Sequence, residues 1–317
     1  MHRDSENQQR FLFNDELIAQ MLPDGLVSFN RQIGGLNPEK PLKNKFLYDT
    51  VSGTVYKVLS ARRKGFNEAL FYAKVFAPEN ADNAVLGRLK AFLPAYRGLF
   101  HQPGSGSFLV AMADMQWEME QPNAMDIKLG RQSYGPLAPA EKMAMEQAKY
   151  PWRRQLGFFI TGIRVDGAFY DRLYGRSLSP SIIYEKGICL FLDGKCDQDV
   201  MHRRSTLAYA FAERLKQLIE WFEAQTLYRF VASSLFLCYD WSTPRSAADL
   251  AFPNHRFMRL YLIDFARWFK VSDLDVDPSH DENCLHGLYK LQSYFYRACS
   301  EASNKQPSAA NAFVLNA

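Results

Sequence analysis

The segment Pro122–Gly130, which reads Pro-Asn-Ala-Met-Asp-Ile-Lys-Leu-Gly, constrains the fold more than any other part of the chain. Its acid and its base, Asp126 and Lys128, alternate with three apolar residues: Met125, Ile127 and Leu129. Because successive side chains of a strand point to opposite faces, this alternation predicts a strand with one buried and one charged face. A carboxylate beside an ammonium group suits a nucleotide or phosphate site, since both bind polar ligands through charge-assisted hydrogen bonds. Taken alone, the segment is better explained by a solvated strand with a surface ion pair.

Two downstream segments change that interpretation. Leu262–Phe265 places a second carboxylate at the end of the apolar run Met258–Ile263. Such a position commonly holds a metal ion on a triphosphate, as the D-F-G motif of protein kinases does. Between the two lies Ala232–Phe236, a pair of serines that enters an apolar strand. In this order the motifs P-x-x-x-D-x-K-x-G, S-S-L-F and I-D-F resemble those of the inositol polyphosphate kinase family.

The resemblance extends over roughly residues 30 to 300. Lys149–Pro151, Gly157–Phe159 and Gly162–Arg164 are similar to the part of the family that follows the first motif. Tyr174–Leu178 and Trp221–Glu223 are most similar to the inositol polyphosphate multikinase branch. The resemblance implies an ATP-dependent kinase that transfers a phosphoryl group to hydroxyls of inositol tris- and tetrakisphosphates.

Composition places the chain among ordinary globular proteins, with 47% hydrophobic and 23% charged residues and a net charge of +4. Neither a nucleic-acid partner nor a transmembrane segment is expected, because the charge is small and no apolar run approaches the ~20 residues that span a bilayer. The polar stretch Met1–Arg10 does not resemble a secretory signal. The five cysteines contain no C-x-x-C and indicate the reduced thiols of an intracellular protein. We expect a monomer in the nucleus or cytoplasm.

The order of the predicted elements indicates an α+β fold with two lobes. A small antiparallel β lobe is expected over about residues 23–115, and a larger mixed α/β lobe over about residues 116–302. Residues 1–22 and 303–317 are polar ends that we expect to be poorly ordered. The resemblance implies a reduced protein-kinase-like fold with ATP between the lobes. The protein-kinase motifs G-x-G-x-x-G and H-R-D are missing, which argues against a protein substrate.

The small lobe contains a candidate nucleotide lysine. A hairpin is predicted over Phe46–Leu59, with Lys57 on its second strand, followed by a helix over Asn67–Phe76 with Asn67 as its cap and Glu68 near its start. A strand lysine followed by a helix glutamate is the order of the kinase ion pair that positions nucleotide phosphates. The lysine of G-T-V-x-K contacts ATP in the resembled family, and Gly53–Lys57 matches that motif. An ordinary exposed strand lysine is the alternative.

The resemblance assigns the remaining ATP and metal roles. It implies that Asp126 binds the ribose hydroxyls and that Lys128 stabilises the transferring phosphoryl group. Asp264 is expected to hold Mg²⁺, which prefers one or two carboxylates together with phosphate oxygens. The adenine ring is expected between backbone groups and apolar side chains of four residues: Ala113, Met115, Leu235 and Ile263. Ser233 and Ser234 are expected to shape the pocket, since no G-x-S-x-G elbow surrounds them.

An inositol phosphate acceptor requires a basic wall beside Lys128. Three basic residues match positions at which the family binds substrate phosphates: Lys142, Lys149 and Arg164. The two lysines lie seven apart, on one face of a predicted helix, and a solvated helix face is the alternative reading. The chain departs from the multikinase branch at Met145 and Glu146, where that branch has glutamines, and at Arg267, where relatives carry histidine. Arg267 is therefore a further candidate phosphate ligand.

Several functions remain open at this point. Within the family, the alternatives are a 3-kinase specific for inositol trisphosphate and an inositol hexakisphosphate kinase. From other classes, the chain could be a catalytically weak scaffold that binds inositol phosphates, or could act on phosphoinositide headgroups at a membrane. The presence of four candidate ligands of phosphate, ribose and metal argues against the scaffold: Lys57, Asp126, Lys128 and Asp264.

Overall fold

The computed structural model of the protein describes residues 11–14, 17–34, 46–60, 63–135, 138–194, 200–240, 257–274 and 279–305. These residues form two lobes, each built around one β-sheet, which meet at a cleft. The predicted α+β, two-lobed fold is confirmed.

The small lobe is built on seven strands: β1 Phe11–Asn14, β2 Leu17–Met21, β3 Val27–Ser28, β4 Leu47–Asp49, β5 Thr54–Val58, β6 Tyr96–Gln102 and β7 Ser107–Ala113. They lie in the order β1-β2-β6-β7-β5-β4-β3. All neighbours are antiparallel except β2 and β6, which run parallel. Since β1 and β2 fall within residues 1–22, the expectation that this end is poorly ordered is wrong for them. Residues 1–10 lie outside the described part of the chain.

Two α-helices, α1 Arg63–Phe76 and α2 Ala84–Lys90, and a 3₁₀ turn, Pro78–Asn80, complete the small lobe. Helix α1 begins four residues before the predicted start, so Asn67 lies inside it and is not its cap. The helix starts earlier than predicted because its first two turns also have a buried face, which includes Gly65 and Glu68. The carbonyl of Asn67 instead accepts a hydrogen bond from Trp268 of the large lobe.

The large lobe contains the strands β8 Pro122–Leu129, β9 Phe158–Val165, β10 Ala168–Tyr170, β11 Tyr228–Phe230, β12 Ser234–Asp240, β13 Met258–Ile263 and β14 Trp268–Lys270. Five of them form an antiparallel sheet in the order β10-β9-β8-β12-β13, and β11 pairs with β14. Its helices are α3 Ala140–Ala148, α4 Arg153–Leu156, α5 Arg172–Ser177, α6 Leu190–Asp193, α7 Val200–Ala224 and α8 Glu282–Lys305, with a π-helical turn at Tyr184–Cys189 and a 3₁₀ turn at Val271–Asp273.

Helices α7 and α8 pack against each other and cover one face of the large sheet. The apolar stripe predicted for α7 is core, since its members are fully buried: Leu207, Phe211, Leu215, Leu218 and Phe222. Helix α8 continues to Lys305, so the predicted flexible tail begins later than residue 303, and residues 306–317 lie outside the described part of the chain. None of the helices described here combines the length and the apolar content that crossing a membrane requires.

Strand register decides which side chains of the large sheet face the cleft. Strand β12 pairs with both β8 and β13, and directly opposed residues share a face. One row is buried in the core with α7 and α8: Ile127, Leu235 and Leu262. The two neighbouring rows lie on the opposite face: Lys128, Ser234 and Ile263, and then Asp126, Phe236 and Tyr261. The alternation read from Pro122–Gly130 therefore places its acid and its base on the cleft side.

Candidate active site

A cavity of about 230 Å³ lies between the lobes. Its small-lobe wall comes from β5, α1, the end of β7 and the segment Phe29–Gly34; its large-lobe wall comes from β8, β12 and β13. Seven of the residues that the sequence predicts for ATP or metal border it: Lys57, Glu68, Ala113, Met115, Asp126, Ile263 and Asp264.

A cluster of four charged side chains closes one end of this cavity. The Nζ atom of Lys57 lies 2.6 Å from Oε1 of Glu68 and 2.5 Å from Oδ1 of Asp264. On the other side of Asp264, Oδ2 lies 4.0 Å from Nζ of Lys128, which also donates a hydrogen bond to the Ala232 carbonyl at 3.0 Å. The cluster joins the lobes, because Lys57 and Glu68 belong to the small lobe and the other two residues to the large one.

The two lysines keep Asp264 ionised. Burial disfavours the charged carboxylate, but the ammonium groups of Lys57 and Lys128 outweigh it and lower the pKa of Asp264 to about 2. Burial likewise opposes the charge of Lys57, yet its two carboxylate neighbours raise its pKa above the ordinary value. Asp264 also has φ +66°, in the left-handed region that few residues other than glycine adopt, which marks a strained position.

Asp126 is a buried carboxylate with an unused acceptor. The residue is 5% exposed, and its Oδ1 atom has no hydrogen-bond partner. Burial, reinforced by the like charge of Asp264, raises the pKa of Asp126 to about 6. On its other side the carboxylate packs against backbone, since a Cβ atom at Gly34 would lie 1.7 Å from Oδ2. An orphaned acceptor that borders a cavity fits a ligand that brings hydroxyl donors.

The connection between the lobes borders the cavity with Ala113 and Met115. The carbonyl of Met115 accepts hydrogen bonds from Arg259 Nη1 at 3.0 Å and from the Cys238 thiol. The amide of Met115 donates to no group in the hydrogen bonds described. A fixed chain with an unused N–H donor at the cavity wall fits the edge of an adenine ring.

Leu235 does not border the cavity, which corrects its assignment to the adenine site. Its side chain is fully buried in the core, in the row with Ile127, because period-two alternation turns it away from the cleft. The next residue, Phe236, points into the cavity beside Ile263. The alternation anchored at Asp126 could have identified Phe236, since the two residues are directly paired.

The segment Phe29–Gly34 was missed by the sequence analysis. Ile33, 2% exposed, packs against Gly162 of β9, where a Cβ atom would lie 2.8 Å from the Ile33 carbonyl oxygen. Arg31 anchors the segment by donating to the Gln116 carbonyl at 3.1 Å. The segment has neither periodicity nor a ligand motif, so nothing in its sequence indicates that it forms a wall of the cavity.

The basic residues of α3 and of its C-terminal cap gather around one acid. Lys149 lies 2.6 Å and Lys142 lies 3.8 Å from Oε1 of Glu146. The other oxygen of Glu146 accepts a hydrogen bond from the Ser133 hydroxyl, and the Ser133 carbonyl accepts one from Arg267 at 2.6 Å. The structure therefore brings three predicted substrate ligands, Lys142, Lys149 and Arg267, to one part of the large lobe. Burial opposes ionisation of Glu146, but these hydrogen bonds and lysines lower its pKa.

Arg164 is not part of this group, which corrects its place in the basic wall. It pairs with Ala124 of β8, whereas Lys128 pairs with Phe159, five residues away on β9. At ~3.3 Å per residue this separation is about 16 Å. Arg164 instead donates to the Gln32 carbonyl at 3.1 Å, beside the nucleotide cavity.

Helix α5 carries two arginines that the sequence analysis missed. Its Gly175 packs on β9, where a Cβ atom would lie 1.8 Å from the Ile160 carbonyl oxygen and 3.5 Å from the Phe159 ring. Arg172 and Arg176 flank this contact, one strand away from Lys128, and the Nε atoms of both are buried without a hydrogen-bond partner. Their four-residue spacing on one helical face was the available signal.

The described side chains could hold a metal ion only together with donor atoms from a bound ligand. Within the described ranges, no group of three or more His, Cys, Asp or Glu side chains could hold a metal ion by itself. Asp264 offers a single carboxylate, 35% exposed, at the end of the nucleotide cavity. One carboxylate supplemented by phosphate oxygens and water suits Mg²⁺.

Comparison with known proteins identifies the family. A family model described as inositol polyphosphate kinase matches residues 109–296, more than half of the chain. The chain belongs to this family. An inositol polyphosphate multikinase of Rattus norvegicus is 33% identical over 198 residues, covering 60% of this chain and 48% of the rat protein. One of Oryza sativa subsp. indica is 28% identical over 281 residues, covering 81% and 89%. The predicted family is confirmed, and the relatives named here are multikinases.

The chain spans about half the length of the mammalian relatives it matches. Among solved structures, the inositol phosphate multikinase of S. cerevisiae in complex with ADP and Mn²⁺ superposes with a TM-score of 0.58 at 20% identity. The match covers 77% of this chain and 98% of the yeast chain. It shows that the two proteins share a fold.

Proposed function

We propose that the chain is an ATP-dependent inositol polyphosphate kinase of the multikinase type. It transfers the γ-phosphoryl group of ATP to hydroxyls of inositol tris- and tetrakisphosphates. The observation that carries this proposal is the position of Asp264 between Lys57 and Lys128, at the end of a cavity that also contains Asp126, whose Oδ1 atom has no hydrogen-bond partner. Phosphoryl transfer needs little else from a protein than in-line placement and charge stabilisation.

Each group around the cavity has one role in holding ATP. The Met115 amide and the side chains of Ile263 and Phe236 hold adenine, and Asp126 accepts the ribose hydroxyls. Lys57, oriented by Glu68, contacts the phosphates. Asp264 would hold Mg²⁺, which would offset the negative charge of the phosphate oxygens. The solved yeast multikinase was crystallised with ADP and Mn²⁺, which supports the use of an adenine nucleotide and a divalent metal.

The acceptor would lie on the other side of Lys128. Lys128 can approach both the transferring phosphoryl group and the acceptor, because its partly exposed side chain stands beside Asp264 near the end of β8. The basic wall around the acceptor consists of five side chains: Lys142, Lys149, Arg172, Arg176 and Arg267. Arg164 is left out of this wall because it stands at the far end of β9.

The cellular setting is part of the proposal. The four cysteines that the structure describes are free thiols, three of them buried, which supports a reducing compartment such as the nucleus or cytoplasm. We propose that the protein acts there as a monomer on soluble inositol phosphates. Use of phosphoinositide headgroups, a hexakisphosphate kinase or trisphosphate 3-kinase activity, and a scaffold without turnover are the alternatives.

The test is to incubate the purified protein with ATP, Mg²⁺ and a panel of inositol phosphates and to resolve the products. We expect phosphorylation of tris- and tetrakisphosphates by the wild type and by the control Asp82→Asn, whose carboxylate is exposed in the small lobe. Asp264→Asn should abolish turnover on every acceptor while the circular dichroism spectrum is retained. A folded Asp264→Asn variant with near-wild-type activity would refute the proposal, and a wild type without turnover would favour the scaffold.

A further inference from the structure

A second cavity, of about 700 Å³, lies between α3, the residues that follow β8 and the start of α8. Its volume is within the range of small-molecule sites. None of Lys57, Lys128 and Asp264 borders it. Ser133 and Glu146 form the partition, because both line this cavity while the Ser133 carbonyl is bonded to Arg267. The cavity is therefore adjacent to the proposed acceptor site and separate from it.

A buried arginine lines this cavity, and within the described residues no carboxylate forms a direct ion pair with it. Arg153 is 7% exposed, and it donates from Nε to the Gly130 carbonyl at 2.9 Å and from Nη2 to the Leu129 carbonyl at 2.8 Å. Its third nitrogen, Nη1, has no partner in the described part of the chain. Burial lowers the pKa of Arg153 to about 10. A buried guanidinium bonded only to neutral carbonyls is costly unless an anion compensates it.

Two further arginines face the same space. Arg131 donates from Nε to the backbone carbonyl of Arg154 at 3.3 Å, which leaves its two terminal nitrogens available. No described hydrogen bond or ion pair engages the side chain of Arg154. Two acids line the cavity, and one of them, Glu146, is shared between Arg153 and the two lysines Lys142 and Lys149, so that the positive charges outnumber the negative ones.

We propose that this cavity binds a multiply phosphorylated small molecule, held by Arg131, Arg153 and Arg154. Guanidinium groups match phosphate oxygens through paired, charge-assisted hydrogen bonds. A monocarboxylate would leave most of the positive charge uncompensated, whereas a polyphosphorylated molecule compensates all of it. Arg153 donates hydrogen bonds to the carbonyls of Leu129 and Gly130, which directly follow Lys128. A ligand bound to Arg153 would therefore act on the backbone beside the acceptor site. Binding itself does not depend on the proposed kinase activity.

The experiment is isothermal titration of tripolyphosphate into the full chain, with the nucleotide cavity filled by ADP in the absence of metal. The wild type should show two classes of sites. Arg154→Gln, which removes an exposed side chain without a described bond, should weaken one class about tenfold, and Arg131→Gln/Arg154→Gln about 100-fold. Lys128→Gln should weaken only the other class. Arg88→Gln, which removes an exposed arginine of the small lobe, serves as the matched control and should change neither class.

Each outcome decides the proposal. Unchanged binding in Arg154→Gln and in the double variant, or an equal loss in Arg88→Gln, would overturn it. Binding of the wild type only to phosphatidylcholine vesicles that contain a bisphosphorylated inositol lipid, and not to tripolyphosphate, would overturn the choice of a soluble ligand. If Lys128→Gln alone leaves both classes unchanged, the acceptor assignment fails while the cavity proposal stands. Retained kinase turnover in the double variant would show that the two sites are separate.

Discussion

Replacing Asp126 by asparagine should make the unliganded protein more stable and its nucleotide binding weaker. The carboxylate is ionised at neutral pH although it is buried, lacks a partner for Oδ1 and lies near Asp264. Asparagine has the same shape and no charge, so Asp126→Asn removes the desolvation and the like-charge repulsion together. A bound nucleotide would compensate the ionised carboxylate, because its ribose hydroxyls can donate hydrogen bonds to it.

The pKa shift gives the size and the sign of this effect. The pKa of Asp126 rises from its ordinary 3.8 to about 6, so roughly 2 pKa units of ~1.36 kcal/mol each disfavour the ionised form in the folded state. The penalty is complete above the folded pKa, at about 3 kcal/mol near pH 7.5. It falls to about half of that near pH 5, because the folded protein takes up a proton before the unfolded chain does. It disappears below the unfolded pKa.

Urea unfolding at both pH values measures the prediction. Asp126→Asn should raise the free energy of unfolding by up to about 3 kcal/mol near pH 7.5 and by about half as much near pH 5. Loss of a hydrogen bond to a charged group should weaken ATP binding by about 10- to 150-fold. Asp82→Asn is the control for an exposed carboxylate. An equally stable or less stable Asp126→Asn variant near pH 7.5 would refute the reasoning that the carboxylate is strained.

Three further variants test other parts of the site. Lys57→Ala leaves the buried carboxylate of Glu68 without its nearest cation and should lower the free energy of unfolding, measured in urea, by about 3 kcal/mol. It should also raise the KM for ATP, and a rise confined to the KM for the acceptor would contradict the ATP role. Glu146→Gln removes the ion pairs of Lys142 and Lys149 and should raise kcat/KM, most for the acceptors that carry the most phosphates. An unchanged ranking of acceptors would argue against α3 as part of the basic wall around the acceptor. Gly175→Ala places a Cβ atom 1.8 Å from the Ile160 carbonyl oxygen and should lower the melting temperature, corresponding to about 1–3 kcal/mol of overpacking; an unchanged melting temperature would mean that α5 can shift without cost.

The sequence predicts those parts of the site that depend on local pattern. Alternation in Pro122–Gly130 correctly separates the charged face of β8 from its core face, because strand geometry alone decides it. Lys57 and Glu68 form the predicted pair, since a strand and the helix that follows it must pack closely in a small lobe. The S-S-L-F motif alone does not show which face of β12 Leu235 occupies. The period-two alternation of the strand does, and it turns Leu235 towards the core.

The remaining parts depend on distance along elements and on packing between remote segments. Arg164 has a suitable charge, but its position along β9 places it about 16 Å from the neighbour of Lys128, which a motif does not encode. The segment Phe29–Gly34 reaches the cavity through contacts with Gly162 and Gln116, more than 80 residues downstream. The role of this segment depends on the tertiary fold, which cannot be predicted from the periodicity of a local sequence.

The ion pair between Lys57 and Asp264 has a consequence for the order in which ligands arrive. The ammonium group of Lys57 lies against the carboxylate oxygen of Asp264 that a divalent cation would require. A cation arriving alone would have to displace this ammonium group and would leave a second positive charge next to Lys128. A triphosphate supplies the anionic partner that draws Lys57 away and supplies oxygens for the cation at the same time. Free magnesium should therefore bind weakly, and the nucleotide and its metal should enter as one complex.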